Sequence, residues 1–309
     1  TLRPAVPADY PDIVALMNAT TSQAPTTLES FTAAEQERAT GHTFLRLLAV
    51  LPDGTLAGYG ITGDDDEQAP RHFYLSIRVA EACRRKGIGR TLLSALSAWA
   101  KTEGAVCLEG TTGVNDGAAA FARSMGFVTE GRLFRSELHL EGWAMGLKNL
   151  AIAAAEAEGF RFATLAELGA TEENLRRLHS AYQELVAQVP GRSPLLPPYE
   201  KWRGKLESDP TWDPACVLLL LDGDRWAGLS YMEKQADGSW YSHITGILPG
   251  YRGRRLGLAL KVAAVEDARV HGVPYLSTYN HVANGAMVAI NSQLGYEPVE
   301  SRVQVNLPL

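Results

Sequence analysis

The sequence predicts an α/β protein in which one fold is used twice, each copy a mixed, mostly antiparallel sheet flanked by helices. Three observations predict it. The 309 residues suit two domains of roughly 150 better than one. A single internal match then runs at a near-constant offset. Arg84-Arg85-Lys86-Gly87-Ile88-Gly89 falls on Arg252-Gly253-Arg254-Arg255-Leu256-Gly257, Val79 on Ile247 and Gly104 on Gly272. One inserted residue later, Asn115 falls on Asn284 and Gly126-Phe127 on Gly295-Tyr296. Finally, in both copies short apolar strands precede the matched turn and a helical apolar face follows it.

Element by element, the first copy opens with a short strand at 2–5. A helix follows over 9–18, with Ile13, Leu16 and Met17 apolar, and a second over 28–38. Strands at 44–51 and 56–61 flank Pro52-Asp53-Gly54, whose Asp-Gly supplies a positive-φ hairpin turn. A third strand spans 73–79. Ile88, Leu92, Leu93, Leu96 and Trp99 mark one helix face, stopped by Gly104. A strand at 106–109, a helix from Asn115 to about Met125 and two closing strands to Leu140 complete it. The second copy repeats the order: a strand at 160–164, helices at 171–187 and 199–207, and a hairpin of 217–221 and 226–232. It continues with a strand at 240–247, a helix faced by Leu256, Leu260, Ala263, Ala264 and Ala268, a strand at 275–279, a helix from Asn284 and a closing strand toward Val305. The Ala-rich stretch 144–158 reads as a helical linker, giving expected domains of 1–142 and 159–309 joined by 143–158.

Composition narrows the function classes. With 46% hydrophobic and 21% charged residues, the chain is globular rather than disordered. Its longest apolar run, 215–221, is far short of the ~20 residues of a membrane span. No basic cluster precedes an apolar stretch near the N-terminus, so the expectation is a cytoplasmic protein. A net charge of −6 argues against a nucleic-acid partner. Cys83, Cys107 and Cys216 are odd in number and widely spaced, which predicts buried thiols and neither a disulfide framework nor a metal site. The histidines at 42, 72, 139, 179, 271 and 281 show no ligand spacing.

The matched turns carry the chemistry. Each joins a strand end to a helix start, where unpaired N–H groups and the positive dipole end form an anion site. Glycine permits close backbone approach, and the arginines and lysine add charge. Neither turn has the Gly-x-x-x-x-Gly-Lys-Ser/Thr of a Walker loop, nor the Gly-x-Gly-x-x-Gly of a dinucleotide fold with its later acid. What remains is Arg-x-x-Gly-x-Gly after an antiparallel meander.

At these residues the sequence resembles the GNAT superfamily of N-acetyltransferases. Residues 77–89 and 247–258 are similar to its acetyl-coenzyme A turn, Gln/Arg-x-x-Gly-x-Gly/Ala, and Asn115 with Gly126-Phe127, like Asn284 with Gly295-Tyr296, resembles the segment that follows. The resemblance covers nearly the whole chain, twice. It implies two tandem GNAT domains and direct attack of an amine on the thioester of acetyl-CoA, with no acyl-enzyme and no metal. A backbone amide at the strand end, Val79 or Ile247, would serve the oxyanion. The pyrophosphate would meet the amides of Arg84, Arg85, Lys86, Gly87, Ile88, Gly89 and Arg90, or of Arg252, Gly253, Arg254, Arg255, Leu256, Gly257 and Leu258. The implied acceptor is a small-molecule or peptide amine, and the implied assembly a monomer or homodimer.

The copies differ in ways that divide the roles. Arg255 stands where the first copy has Gly87, which favours the first copy for cofactor binding. His243, four residues before Ile247, and Tyr241 favour the second for proton transfer, since Leu75 and Phe73 stand opposite them in the aligned first copy. A strand period places 243, 245 and 247 on one face. The plain alternative for His243 is a hydrogen-bonded sheet histidine. The family's frequent general-acid tyrosine is replaced by Ala122 and Asn291. Tyr279 is a substitute acid or a packing aromatic, Asn291 a candidate for the pantetheine arm, and Asn115 and Asn284 are cofactor contacts or helix N-caps. Glu233 is a second choice of base. The acidic run at 64–67 reads as a solvated turn, and Trp202, Trp212 and Trp240 as pocket walls or core. A second function class stays open: a non-catalytic acyl-CoA sensor, which the missing tyrosines allow.

Overall fold

A computed structural model describes residues 1–20, 26–64, 71–114, 117–143, 146, 149–190, 196–209 and 211–309. It divides into two compact units, one formed by Thr1–Glu130 with Val303–Leu309, the other by Gly131–Arg302. Among the described residues, no helix is long and apolar enough to cross a membrane.

The first unit runs β1 (Leu2–Pro4), α1 (Tyr10–Ala19), α2 (Leu28–Gly41), β2 (Phe44–Val50), β3 (Leu56–Asp64), β4 (His72–Val79), α3 (Ile88–Thr102), β5 (Cys107–Gly113) and α4 (Gly117–Ser124). Strands β1 to β4 form the expected antiparallel meander. Strand β5 joins β4 in parallel after the α3 crossover. The period-3.6 face of α3 buries Leu92, Leu93, Leu96 and Ala100 on one side of the sheet, against Phe73, Leu75, Ile77 and Leu108. Ile13, Val14 and Leu16 of α1 pack on the other, with Leu48, Tyr59 and Ile61.

The second unit repeats the plan after the linker helix α5 (Asn149–Ala157). Its elements are β7 (Phe160–Thr164), α6 (Leu165–Leu168), α7 (Glu172–Val186), α8 (Tyr199–Ser208), β8 (Val217–Asp222), β9 (Arg225–Lys234), β10 (Trp240–Ile247), α9 (Leu256–Val270), β11 (Tyr275–His281) and α10 (Gly285–Leu294). Strands β7 to β10 are antiparallel and β10 pairs β11 in parallel. Residues on one face of β10 pack with α9, and those on the other with α7 and α8.

The closing strands differ from expectation. Instead of two strands ending the first copy, one long strand, β6 (Val128–His139), leaves it. Its residues 133–139 pair antiparallel with β11 of the second unit, Tyr275 opposite His139. In return the last strand, β12 (Glu297–Pro308), ends in the first unit. There Leu307 and Leu309 join the cluster of Phe73 and Leu108, and the Leu309 amide donates to the Val106 carbonyl at 3.0 Å. The division therefore departs from the expected 1–142 and 159–309: residues 131–142 belong with the second half and 303–309 with the first. An edge strand pairs with whichever chain offers its backbone, and both copies present similar closing strands, so period and length alone do not say which one closes which sheet.

Candidate active site

The two Gly-rich turns share one backbone shape, built with residues in opposite places. In the first, Arg85 and Gly87 have positive φ, at 62° and 82°; in the second, Gly253 and Arg255 do, at 78° and 59°. Gly87 and Arg255 are both the left-handed N-caps from which α3 and α9 begin. Arg255 thus keeps the helix start that glycine gives the first unit. The first amides of each helix, those of Ile88, Gly89 and Arg90 and of Leu256, Gly257 and Leu258, are the ones a helix leaves without intrahelical partners. Gly89 and Gly257 serve packing: a Cβ on Gly89 would meet the Phe121 ring at 3.4 Å, and one on Gly257 would meet Ile290 at 3.5 Å.

The basic side chains divide their work. Arg84 Nε donates to the Val79 carbonyl at 3.4 Å and Arg252 Nε to the Ile247 carbonyl at 3.0 Å, so the first arginine of each turn ties it to its strand end. Arg254 pairs with Glu158 at 2.5 Å and lies over the Phe160 ring. Arg85, Lys86, Arg90 and Arg255 are exposed beside the helix starts. Each turn can by itself bind a polyanion through backbone and cations.

The strands before the turns part. Strands β4 and β5 pair only at His72–Cys107, Phe73–Leu108 and Tyr74–Glu109, and β10 and β11 only at Trp240–Leu276 and Tyr241–Ser277. Beyond these pairs the ladder ends on the side toward each helix start, although Thr278 Oγ1 still donates to the Ser242 carbonyl at 3.0 Å in the second unit. There the end of β11 and the helix after it carry buried polar residues. Asn280, Asn291 and His281 are buried, with Asn291 donating to the Asn280 side-chain carbonyl at 3.2 Å. Among the described residues, the second polar atom of each amide, Asn280 Nδ2 and Asn291 Oδ1, has no hydrogen-bond partner. Buried amide groups without partners are costly unless a ligand completes them, and the amide-bearing pantetheine arm of CoA fits that demand.

The units also differ in the strand before the turn. In the first, β3 and β4 pair without interruption from Gly58–Val79 to Asp64–Phe73. In the second, the register of β9 against β10 shifts between Ser242 and Ile244, leaving His243 as the extra residue of a β-bulge. Residues 243, 245 and 247 therefore do not share a face. Thr245 joins Ser242 on the α9 side, where both hydroxyls lie near the Lys261 ammonium. His243 stands on the opposite side, its ring stacked on Tyr231 (centroids 4.8 Å apart) and edge-on to Tyr241 at 4.7 Å. The bulge also corrects the alignment between the copies. Counting back from Val79 and Ile247, Leu75 matches Ser242, Tyr74 matches Tyr241, Phe73 matches Trp240, and His243 has no first-unit counterpart.

His243 Nε2 is bonded to Glu233 Oε2 at 2.5 Å, and Gln235 donates to the other carboxylate oxygen at 2.9 Å. The histidine bond holds the Glu233 carboxyl below its ordinary range. Both side chains are about a quarter exposed, which leaves the pair half-open to solvent. A carboxylate on one ring nitrogen orients the imidazole and leaves the other nitrogen to act as a proton acceptor. Each residue was a candidate by itself in the sequence. The pair itself is made by the antiparallel register, which sets Glu233 opposite Tyr241, two residues from the bulge.

Other expected residues take plainer roles. Asn284 is the N-cap of α10, its side chain accepting from the Met287 amide; Asn115 lies outside the described residues. Tyr279 donates to Glu300 at 3.1 Å. Val79 and Ile247 stay paired in their ladders, opposite Gly58 and Gly228. Trp202 and Trp240 are core, and Trp212 packs edge-on to Tyr231. Asp64 accepts from the Thr43 amide, whereas 65–67 lie outside the described residues. One grouping was not visible as spacing: the β4–β5 register brings His72, Cys107 and Glu109 together, and there the histidine is hydrogen-bonded to the carboxylate. Lys261 was also missed, because a single lysine in an apolar helix face reads as a snorkelling surface residue.

Comparison with known proteins agrees with this geometry. Residues 12–127 match the model of the acetyltransferase (GNAT) family. Mycothiol acetyltransferase of Corynebacterium efficiens is 24% identical over 288 residues, 89% of this chain and 84% of the relative. A GCN5-related N-acetyltransferase from Sphaerobacter thermophilus superposes with a TM-score of 0.76 at 18% identity, over 100% of this chain and 95% of the other. A tandem GNAT protein from the clavulanic acid biosynthesis pathway gives 0.70 at 18% identity, over 100% and 98%. Residues 12–127 thus form a domain of the GNAT acetyltransferase family, the same turn recurs in the second copy, and the fold along the whole length is that of tandem GNAT proteins.

Proposed function

We propose that the chain transfers an acetyl group from acetyl-CoA to a primary amine of a small molecule or peptide in the cytoplasm, with the chemistry in its second unit. The observation that carries the reading is the His243–Glu233 pair on a bulge that the first unit lacks. When bound, acetyl-CoA supplies the activated thioester carbonyl. The amides at the start of α9, with Arg255 and Arg252 beside them, would hold its pyrophosphate, and Asn280 and Asn291 its pantetheine amides. His243 would accept the amine proton through Nδ1 as nitrogen bonds to the acetyl carbon, and Glu233 would stabilise the imidazolium. The backbone freed from the ladder at the bulge is the donor we assign to the oxyanion, in preference to Val79 or Ile247. The C–S bond then breaks, and the thiolate takes a proton from solvent or from Tyr279, which would release Glu300 to give it. The first unit would bind CoA or support the fold.

The missing acid tyrosine favours a second reading, a CoA-binding sensor without turnover. Thiol release from acetyl-CoA with a panel of aminosugars, amino acids and a short peptide separates the two. Steady release with any amine excludes the sensor. On that amine, His243→Ala should lower kcat about 10²-fold or more while calorimetric acetyl-CoA affinity stays within about twofold. Full turnover in His243→Ala would end the assignment to the second unit.

A further inference from the structure

Lys261 lies on α9, one turn inside the helix, and only 1% of its surface reaches solvent. Its ammonium donates to Ser242 Oγ at 2.9 Å, approaches Thr245 Oγ1 at 3.5 Å, and sits 5.3 Å from the centre of the Tyr296 ring. Ser230 extends the chain of hydroxyls, its Oγ 2.9 Å from Thr245 Oγ1. Burial pushes the amine down to about 7. A lysine enclosed in this way opposes folding, a cost that points to a role other than stability.

The first unit shows what a purely structural solution looks like. The residue matching Lys261 is Leu93, and the residue matching Ser242 is Leu75; both belong to one apolar cluster beneath an uninterrupted β4. In the second unit the polar pair replaces the apolar one where the strand bulges. Ser242 and Thr245 flank the bulge on the α9 side, and His243 projects between them on the other. Lys261 grips both flanks at once.

We propose that Lys261 is a positioning residue: by holding Ser242 and Thr245 from below, it fixes the bulge that turns His243 toward Glu233. The inference rests on the proposed role of His243 for its effect on turnover, but the placement of the ring is a separate matter with its own readout. Ser242 and Thr245 are the two ends of the bulged segment. A donor bonded to both keeps the extra residue between them, whereas an apolar pair leaves nothing to hold it there.

The test copies the first unit into the second with Ser242→Leu/Lys261→Leu. It is read by the ring NMR signal of His243, identified by its loss in His243→Gln, by acetyl-CoA calorimetry and by kcat and KM on the amine found above. The expected result is a moved His243 signal, an acetyl-CoA Kd within about twofold of native, KM for the amine unchanged and kcat lower by about 100-fold, the scale of an ångström-sized misplacement. A His243 signal that stays where it was in the double variant overturns the proposal, whatever turnover does. So does a kcat loss matched by an equal loss of acetyl-CoA affinity, which would mark Lys261 as structural. If the double variant does not fold, Lys261→Met decides by the same signal and the same kcat-against-Kd comparison. Failure of the proposed function is distinguished because thiol release is then absent with every amine, or persists in full in His243→Ala, while the NMR arm still reports on Lys261.

Discussion

At the scale of single residues, the second unit is shaped by a charge that burial suppresses. Lys261 has its amine down at about 7 against an ordinary 10.5 because burial removes it from water. Between those values the unfolded chain carries a proton that the folded chain does not, so folding stability rises with pH across that window. Below the folded value both states are protonated and the penalty is constant; above the unfolded value both are neutral and it vanishes. Denaturant midpoints at about pH 7.5 and about pH 9.5 should therefore rise for the native chain by an amount missing from Lys261→Met. Equal shifts in the two would show that the lysine is solvated. The sequence named His243, Tyr241 and Glu233, but their grouping depends on one inserted residue in β10. A bulge leaves no mark in a hydrophobic pattern, and it is what turned the expected shared face of 243, 245 and 247 into two faces.

At the scale of elements, much was readable because the cues were local. The apolar face of α3, the Asp-Gly hairpin turn and the Gly-rich turns all rest on residues within a few positions of each other, and all form as expected. The contrast between Gly87 and Arg255 was readable as a difference in residue type; that both adopt the same left-handed backbone was not. The shape survives in the second unit because an arginine side chain can accept that conformation at a cost of about 1–2 kcal/mol. A Cβ on Gly87 would touch nothing within 4 Å. Gly87→Ala should therefore lose about 1 kcal/mol by backbone strain alone, and Arg255→Gly should recover a similar amount less the entropy that glycine adds to the unfolded chain. Urea midpoints of the two variants check this, and a loss above about 3 kcal/mol in Gly87→Ala would mean a steric role the turn does not show.

At the scale of the whole molecule, duplication was visible in the sequence and the exchange of closing strands was not. Pairing between 133–139 and β11, and between the last residues and β5, joins positions far apart in the chain, and no local pattern encodes it. Removing 303–309 should take Leu307 and Leu309 from the cluster around Phe73 and Leu108. Hydrogen exchange should then quicken in the first unit, at β4 and β5, although the cut is made at the other end of the chain. If the first unit's protection were unchanged, its core would be complete without those residues.

The same exchange sets an order of events during synthesis. A ribosome delivers the first unit's helices and five strands early, but the strand that finishes its sheet follows only after the second unit has been made. Until then that sheet keeps an open edge, and the nearest chain able to fill it is the departing β6 or a neighbouring nascent copy. The first unit is thus completed only after the second has been synthesised.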